Sequence, residues 1–148
     1  MNSPFLITEP TVISFSGGRT SAYMLWRILE AHGGVLPSDA LVCFANTGKE
    51  MEETLRFVHR CETEWGVEIH WLEYRHHAEP SQRFKRVDFA TASRNGEPFF
   101  ELIDQNGSPY LPNPVKRICT AQLKIRTIHK YVQSLGRSEE HTSELQSH

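Results

Sequence analysis

The sequence predicts an α/β fold, an open parallel sheet with helices on both faces, and three observations lead there. Short apolar runs, mostly β-branched or aromatic, recur at 11–15, 40–45 and 67–74. Stretches with helical periodicity separate them, and the connections are too long for hairpins. Strand, helix, strand, helix, strand in that order implies right-handed crossovers, and hence parallel strands. The chain has 148 residues, 39% of them hydrophobic and 23% charged, which suits one globular domain and leaves too little for two.

The first strand, Thr11-Val12-Ile13-Ser14-Phe15, lies between Pro10 and a Gly-Gly pair. A helix follows Gly17-Gly18, with Tyr23, Trp26, Ile28 and Leu29 among its apolar residues, and stops near Gly33-Gly34. Ala40-Leu41-Val42-Cys43-Phe44-Ala45 is a second buried strand, leading through Asn46-Thr47-Gly48 into a helix from about Glu50 to Trp65. Glu50, Glu52 and Glu53 crowd that helix's first turn, where the dipole favours negative charge. Leu55, Val58, Cys61 and Trp65 mark one face of it, and Gly66 closes it. Residues 67–74 form a third strand, in which His70 or Trp71 faces the core. Residues 75–112 are basic and aperiodic apart from Phe99-Phe100-Glu101-Leu102-Ile103, and read as a functional loop, a lid or a disordered segment. A last helix spans roughly Thr120 to Leu135, striped by Leu123, Ile128, Tyr131 and Leu135.

Residues 137–148 are polar and aperiodic and match the in-frame translation of a common sequencing-library adapter. They are read as an adapter-derived or disordered tail behind a domain at 1–136 whose C-terminal part is missing. Within 1–136, residues 1–74 carry 5 basic and 10 acidic side chains, net −5, whereas residues 75–136 carry 10 basic and 5 acidic, net +5. A basic half suits an anionic ligand, or equally a solvated face. No apolar run is long enough for a membrane span, and the start lacks the features of a signal peptide. The expected location is therefore the cytoplasm, with Cys43, Cys61 and Cys119 as thiols. Arg75-His76-His77-Ala78-Glu79 lacks a third ligand at metal spacing, so no metal site is expected. Phe84 among Arg83, Lys85 and Arg86 could contact nucleic acid, but no binding module surrounds it, and nucleic acid is not the expected partner.

The sharpest chemical feature is Ser16-Gly17-Gly18-Arg19-Thr20-Ser21, between the first strand and the first helix. Two glycines let the backbone approach an anion, the helix start offers unpaired N–H groups, and hydroxyls and Arg19 surround them. Such a bend at a strand's carboxyl end is where open α/β sheets bind ligands. The alternative is a plain Gly-Gly turn with Thr20 or Ser21 as helix N-cap. Neither the Walker pattern nor G-x-G-x-x-G is present.

This segment resembles the S-G-G-x-D-S loop of the ATP pyrophosphatase superfamily, and the chain is most similar to the phosphoadenosine phosphosulfate (PAPS) reductase family, with its small phage-encoded members. Asn46-Thr47-Gly48 resembles that family's N/D-T-G loop, and Cys119-Thr120-Ala121-Gln122-Leu123-Lys124 its C-x-x-x-x-K segment. The resemblance implies a Rossmann-like, adenine nucleotide alpha hydrolase-like domain. It also implies that Ser16, Gly17, Gly18, Arg19, Thr20, Ser21, Asn46, Thr47, Gly48, Lys116, Arg117 and Lys124 line a site for PAPS or ATP. In the implied reaction a thiolate attacks the phosphosulfate sulfur and displaces adenosine 3′,5′-bisphosphate, and reduced thioredoxin or glutaredoxin then releases sulfite. Cys119, flanked by Lys116 and Arg117, is the candidate nucleophile, with a small core side chain as its other reading.

Two departures qualify the match. Thr20 stands where the superfamily loop has Asp, removing a carboxylate expected near magnesium. Magnesium is thus expected only under the alternative of an ATP pyrophosphatase serving sulfur transfer or nucleic-acid modification. Three cysteines cannot supply the four thiolates of a [4Fe–4S] cluster, and no covalently bound cofactor is expected. A catalytically silent nucleotide-binding module is the remaining alternative. The oligomeric state stays open, a homodimer included.

Overall fold

In a computed structural model the described residues are 4–48, 50–98, 114–137 and 143–146; at 114–123, 143 and 146 the description is of backbone alone. The elements run β1 (Thr11–Ser14), α1 (Arg19–Ala31), β2 (Ala40–Ala45), α2 (Glu52–Trp65), β3 (Ile69–Glu73), a 3-10 turn (Pro80–Gln82), β4 (Lys85–Val87), α3 (Pro114–Ser134) and β5 (Ser143–Gln146). They build one five-stranded sheet in the order β4-β3-β2-β1-β5. The pairs β5–β1, β1–β2 and β2–β3 are parallel, and β4 runs antiparallel to β3.

Strand alternation divides the core in two. Ile13, Val42, Phe44, Ile69 and Trp71 face α1 and α2, where Ala22, Leu25, Ile28, Leu29, Leu55, Val58 and Cys61 meet them. Val12, Cys43, Ala45 and Leu72 face Ile128, Tyr131 and Val132 of α3. The order β3-β2-β1 steps in one direction, so two right-handed crossovers put α1 and α2 on one face and leave the other to α3. The Trp71 ring stands edge-on to Phe44, with centroids 5.1 Å apart.

The fold class stands, and the structure adds four details to it. The sheet is mixed, because part of the segment read as a loop supplies β4, with the 3-10 turn just before it. Ser143–Gln146, within the segment read as tail, pairs with β1 as an edge strand. Tyr23 and Trp26 are 57% and 43% exposed, since the buried stripe of α1 runs through Ala22, Leu25, Ile28 and Leu29. On β3, His70 and Trp71 are both buried, one on each face of a sheet covered on both sides. The patch at 99–103 lies outside the described residues. Among the described residues no helix is long and apolar enough to cross a membrane.

His70 sits on the α3 side, where its Nδ1 shares a hydrogen bond with the Tyr131 hydroxyl. Burial, and then the nearby Arg86 charge, hold its pKa below the usual histidine value, against a smaller opposing pull from Glu68. The neutral ring is the native form, whereas the unfolded chain takes up this proton near pH 6.5. The contribution is intact above that pH and is lost as the pH falls below it. Urea midpoints should therefore drop between pH 7.5 and 5.5, and His70→Gln should make that drop smaller.

Candidate functional site

The carboxyl ends of β1, β2 and β3 deliver their following loops to one edge of the sheet. Parallel strands lie about 4.8 Å apart, and the Phe15 N–H donates to the Cys43 carbonyl at 2.8 Å. The loop leaving β1 therefore starts beside the loop leaving β2.

The first loop is the bend at 16–21. Gly17 adopts φ +84°, and a Cβ there would stand 2.8 Å from Thr54 Cγ2 and 3.1 Å from Val58 Cγ2, so the bend lies flat against α2. Ser21 is fully buried and holds the bend closed. Its Oγ accepts the Ser16 N–H at 3.2 Å and the Ser16 hydroxyl at 3.0 Å, and donates to the Gly18 carbonyl at 3.1 Å. The N-cap of α1 is Gly18, with extended backbone and no side-chain cap, so neither Thr20 nor Ser21 caps the helix. The N–H groups of Arg19, Thr20 and Ser21 donate to no described acceptor, as expected for a first turn. Ser16, Gly18, Arg19 and Thr20 are exposed. The outcome is a solvent-facing pair of amide donors, Arg19 and Thr20, at the positive end of a helix, with the Arg19 guanidinium and the Thr20 hydroxyl alongside and the Ser21 amide buried behind them. The Ser16 and Ser21 hydroxyls, expected as ligand donors, are instead committed to each other and to the backbone.

The second loop, Asn46-Thr47-Gly48, is buried. Asn46 Nδ2 donates to Glu73 Oε2 at 2.8 Å and to the Ser93 carbonyl at 2.9 Å, while Asn46 Oδ1 accepts the Gly48 N–H at 3.1 Å. The side chain expected to reach a nucleotide is thus engaged in holding its own loop. Gly48 has φ +83° and lies under the strap at 88–98, whose Gly96 N–H donates to the Gly48 carbonyl at 3.0 Å. Arg94 ties that strap to the first turn of α2 through Glu52 at 2.8 Å, and this hydrogen bond holds the Glu52 carboxyl below its ordinary pKa.

Lys124 of α3 reaches the same edge, its Nζ 2.7 Å from Glu50 Oε1. Lys116, Arg117 and Cys119 lie on the first turns of α3, and their side chains are outside the described residues. Both described cysteines are buried. Burial pushes the Cys43 thiol up to about 12 and raises that of Cys61, so neither is a thiolate at neutral pH. Phe84 packs edge-on against Tyr131, centroids 5.7 Å apart, facing its own protein. Among the described residues no group of three metal-ligating side chains occurs.

Glu73 was not among the expected site residues. It is fully buried at the carboxyl end of β3, facing Asn46 and Ser93. The available signal was alternation, because Ile69, Trp71 and Glu73 share one face of a strand and the third is an acid.

Residues 10–104 match the family model described as the phosphoadenosine phosphosulfate reductase domain. The chain is 31% identical over 125 residues to an uncharacterized nin region protein, ORF290, of Escherichia phage lambda, covering 81% of this chain and 41% of that protein. It is 28% identical over 127 residues to an uncharacterized protein, MJ0066, of Methanocaldococcus jannaschii, covering 86% of this chain and 20% of that one. The chain therefore spans well under half the length of both relatives. No solved structure matches it.

Proposed function

Because the chain belongs to the phosphoadenosine phosphosulfate reductase domain family, we propose that it binds an adenine nucleotide carrying an activated sulfate and holds its oxyanions on the bend at 16–21. The observation that carries this reading is the pair of Arg19 and Thr20 amides, on exposed residues at a helix start and engaged by no described acceptor. Several N–H donors converging on one oxyanion, at the positive end of a helix, favour phosphate or sulfate over a neutral group. Arg19 adds a positive charge beside them.

The Asn46–Gly48 loop supplies the adjacent wall rather than a ligand hydrogen bond from Asn46. Lys124, paired with Glu50, still has donors for an anion at the same edge. Thr20, in the place of the superfamily's Asp, supports an already activated nucleotide over one cleaved here with magnesium.

For the full-length protein we propose the family's reaction. A cysteine thiolate attacks the sulfur of the phosphosulfate, an S–S bond forms, and the S–O bond to the departing adenosine 3′,5′-bisphosphate breaks. A dithiol of the thioredoxin or glutaredoxin type then reduces the enzyme thiosulfonate, releasing sulfite and becoming a disulfide. Within this chain the nucleophile's place falls to Cys119, since the buried Cys43 and Cys61 hold their protons. Titration calorimetry with PAPS, adenosine 3′,5′-bisphosphate and ATP tests the reading. The two 3′-phosphorylated nucleotides should bind more tightly than ATP, and tighter ATP binding with pyrophosphate release would replace this function with ATP pyrophosphatase chemistry.

A further inference from the structure

A buried carboxylate is costly unless hydrogen bonds replace its lost water, and Glu73 is fully buried. Its Oε2 accepts the Asn46 Nδ2–H at 2.8 Å and the Ser93 N–H at 2.6 Å, and its Oε1 accepts the Ser93 hydroxyl at 2.7 Å. Lys85 Nζ, on a half-exposed side chain, stands 3.9 Å from Oε1. An apolar residue would fill this strand position at lower cost. What the carboxylate adds is a junction, because its donors come from the loop after β2 and from the strap at 88–98, while Glu73 itself ends β3. Two more bonds close the same junction, Asn46 Nδ2 to the Ser93 carbonyl and the Gly96 N–H to the Gly48 carbonyl.

We propose that Glu73 is a positioning residue for the nucleotide site, locking the Asn46–Gly48 loop and the strap around Ser93–Gly96 into one rigid wall beside the bend at 16–21. The role rests on the function proposed above. Glu73 touches no ligand in this scheme; it removes the ordering cost that a loose wall would charge against binding.

The test combines amide hydrogen exchange with calorimetric titration of adenosine 3′,5′-bisphosphate, on the whole chain and its Glu73→Ala, Glu73→Asp and Glu73→Gln variants. Glu73→Ala removes three acceptor contacts, and Glu73→Asp keeps the charge but withdraws it by one methylene. Both should speed exchange at Gly48 and Gly96 by about tenfold or more and weaken binding by about tenfold or more, while Val42 and Ile69 stay protected. Glu73→Gln should keep both readouts within about threefold of the parent, because its carbonyl can take the two N–H donors while its NH₂ donates to the Ser93 oxygen. Should the alanine variant not fold, the contrast between Asp and Gln carries the test. Unchanged exchange at Gly48 and Gly96 in the Asp variant, or faster exchange with unchanged affinity, overturns the positioning role alone. A parent chain that binds no nucleotide overturns the proposed function and this role with it.

Discussion

Gly48→Ala is expected to destabilise the fold by about 4 kcal/mol, from a residue with a side chain forced into the left-handed region and from overpacking. A Cβ at Gly48 would stand 2.7 Å from both Gly96 Cα and Gly96 N, which are backbone atoms and cannot swing aside. Relief requires the strap to lift, breaking the Gly96 to Gly48 hydrogen bond and straining the Asn46, Glu73 and Ser93 junction beneath it. Chemical denaturation should show a large fall in midpoint with little change in slope. A loss below about 1 kcal/mol would mean that the strap is not seated on this loop.

Gly18→Asp should separate stability from function. Gly18 has extended backbone and open space at its Cβ, with Ser16 Oγ nearest at 3.6 Å, so aspartate fits without strain. Aspartate is a good N-cap where glycine is only adequate, so stability should hold or rise by a few tenths of a kcal/mol. Its carboxylate would accept the same first-turn amides that the proposed site offers to an oxyanion. Competition for those donors and repulsion at close range should weaken nucleotide binding by about a hundredfold or more. A variant with better stability and intact affinity would place the ligand elsewhere.

Much of this architecture was legible because burial on both faces leaves an unmistakable trace. The run at Ala40–Ala45 is continuously apolar and that at Thr11–Ser14 is β-branched up to Ser14, as suits strands covered on both sides, and Leu55, Val58 and Cys61 mark the inner face of α2. β4 was illegible for the opposite reason. Lys85 and Arg86 are exposed edge-strand residues, and three residues are too few for alternation to register. β5 reads as polar tail because an edge strand of four residues needs little apolar content to pair.

The site was legible in position but not in orientation. The Gly17-Gly18 bend and the Asn46-Thr47-Gly48 loop both fall at carboxyl ends of parallel strands, as their places after apolar runs require. Residue type alone did not reveal that Ser16 and Ser21 satisfy each other, or that Asn46 faces Glu73 instead of solvent. Those outcomes depend on the long-range packing of the strap, which joins residues 20 to 48 positions apart in the chain.

The most direct measurement is an amide chemical-shift titration of the isotope-labelled chain with adenosine 3′,5′-bisphosphate. Saturable shifts should be largest at the N–H groups of Arg19 and Thr20, with smaller ones at Ser21 and Gly48 and none at the opposite end of the sheet around Val67. Saturable shifts that leave the Arg19 and Thr20 amides unmoved, or no shifts at all, would contradict an oxyanion site at the start of α1.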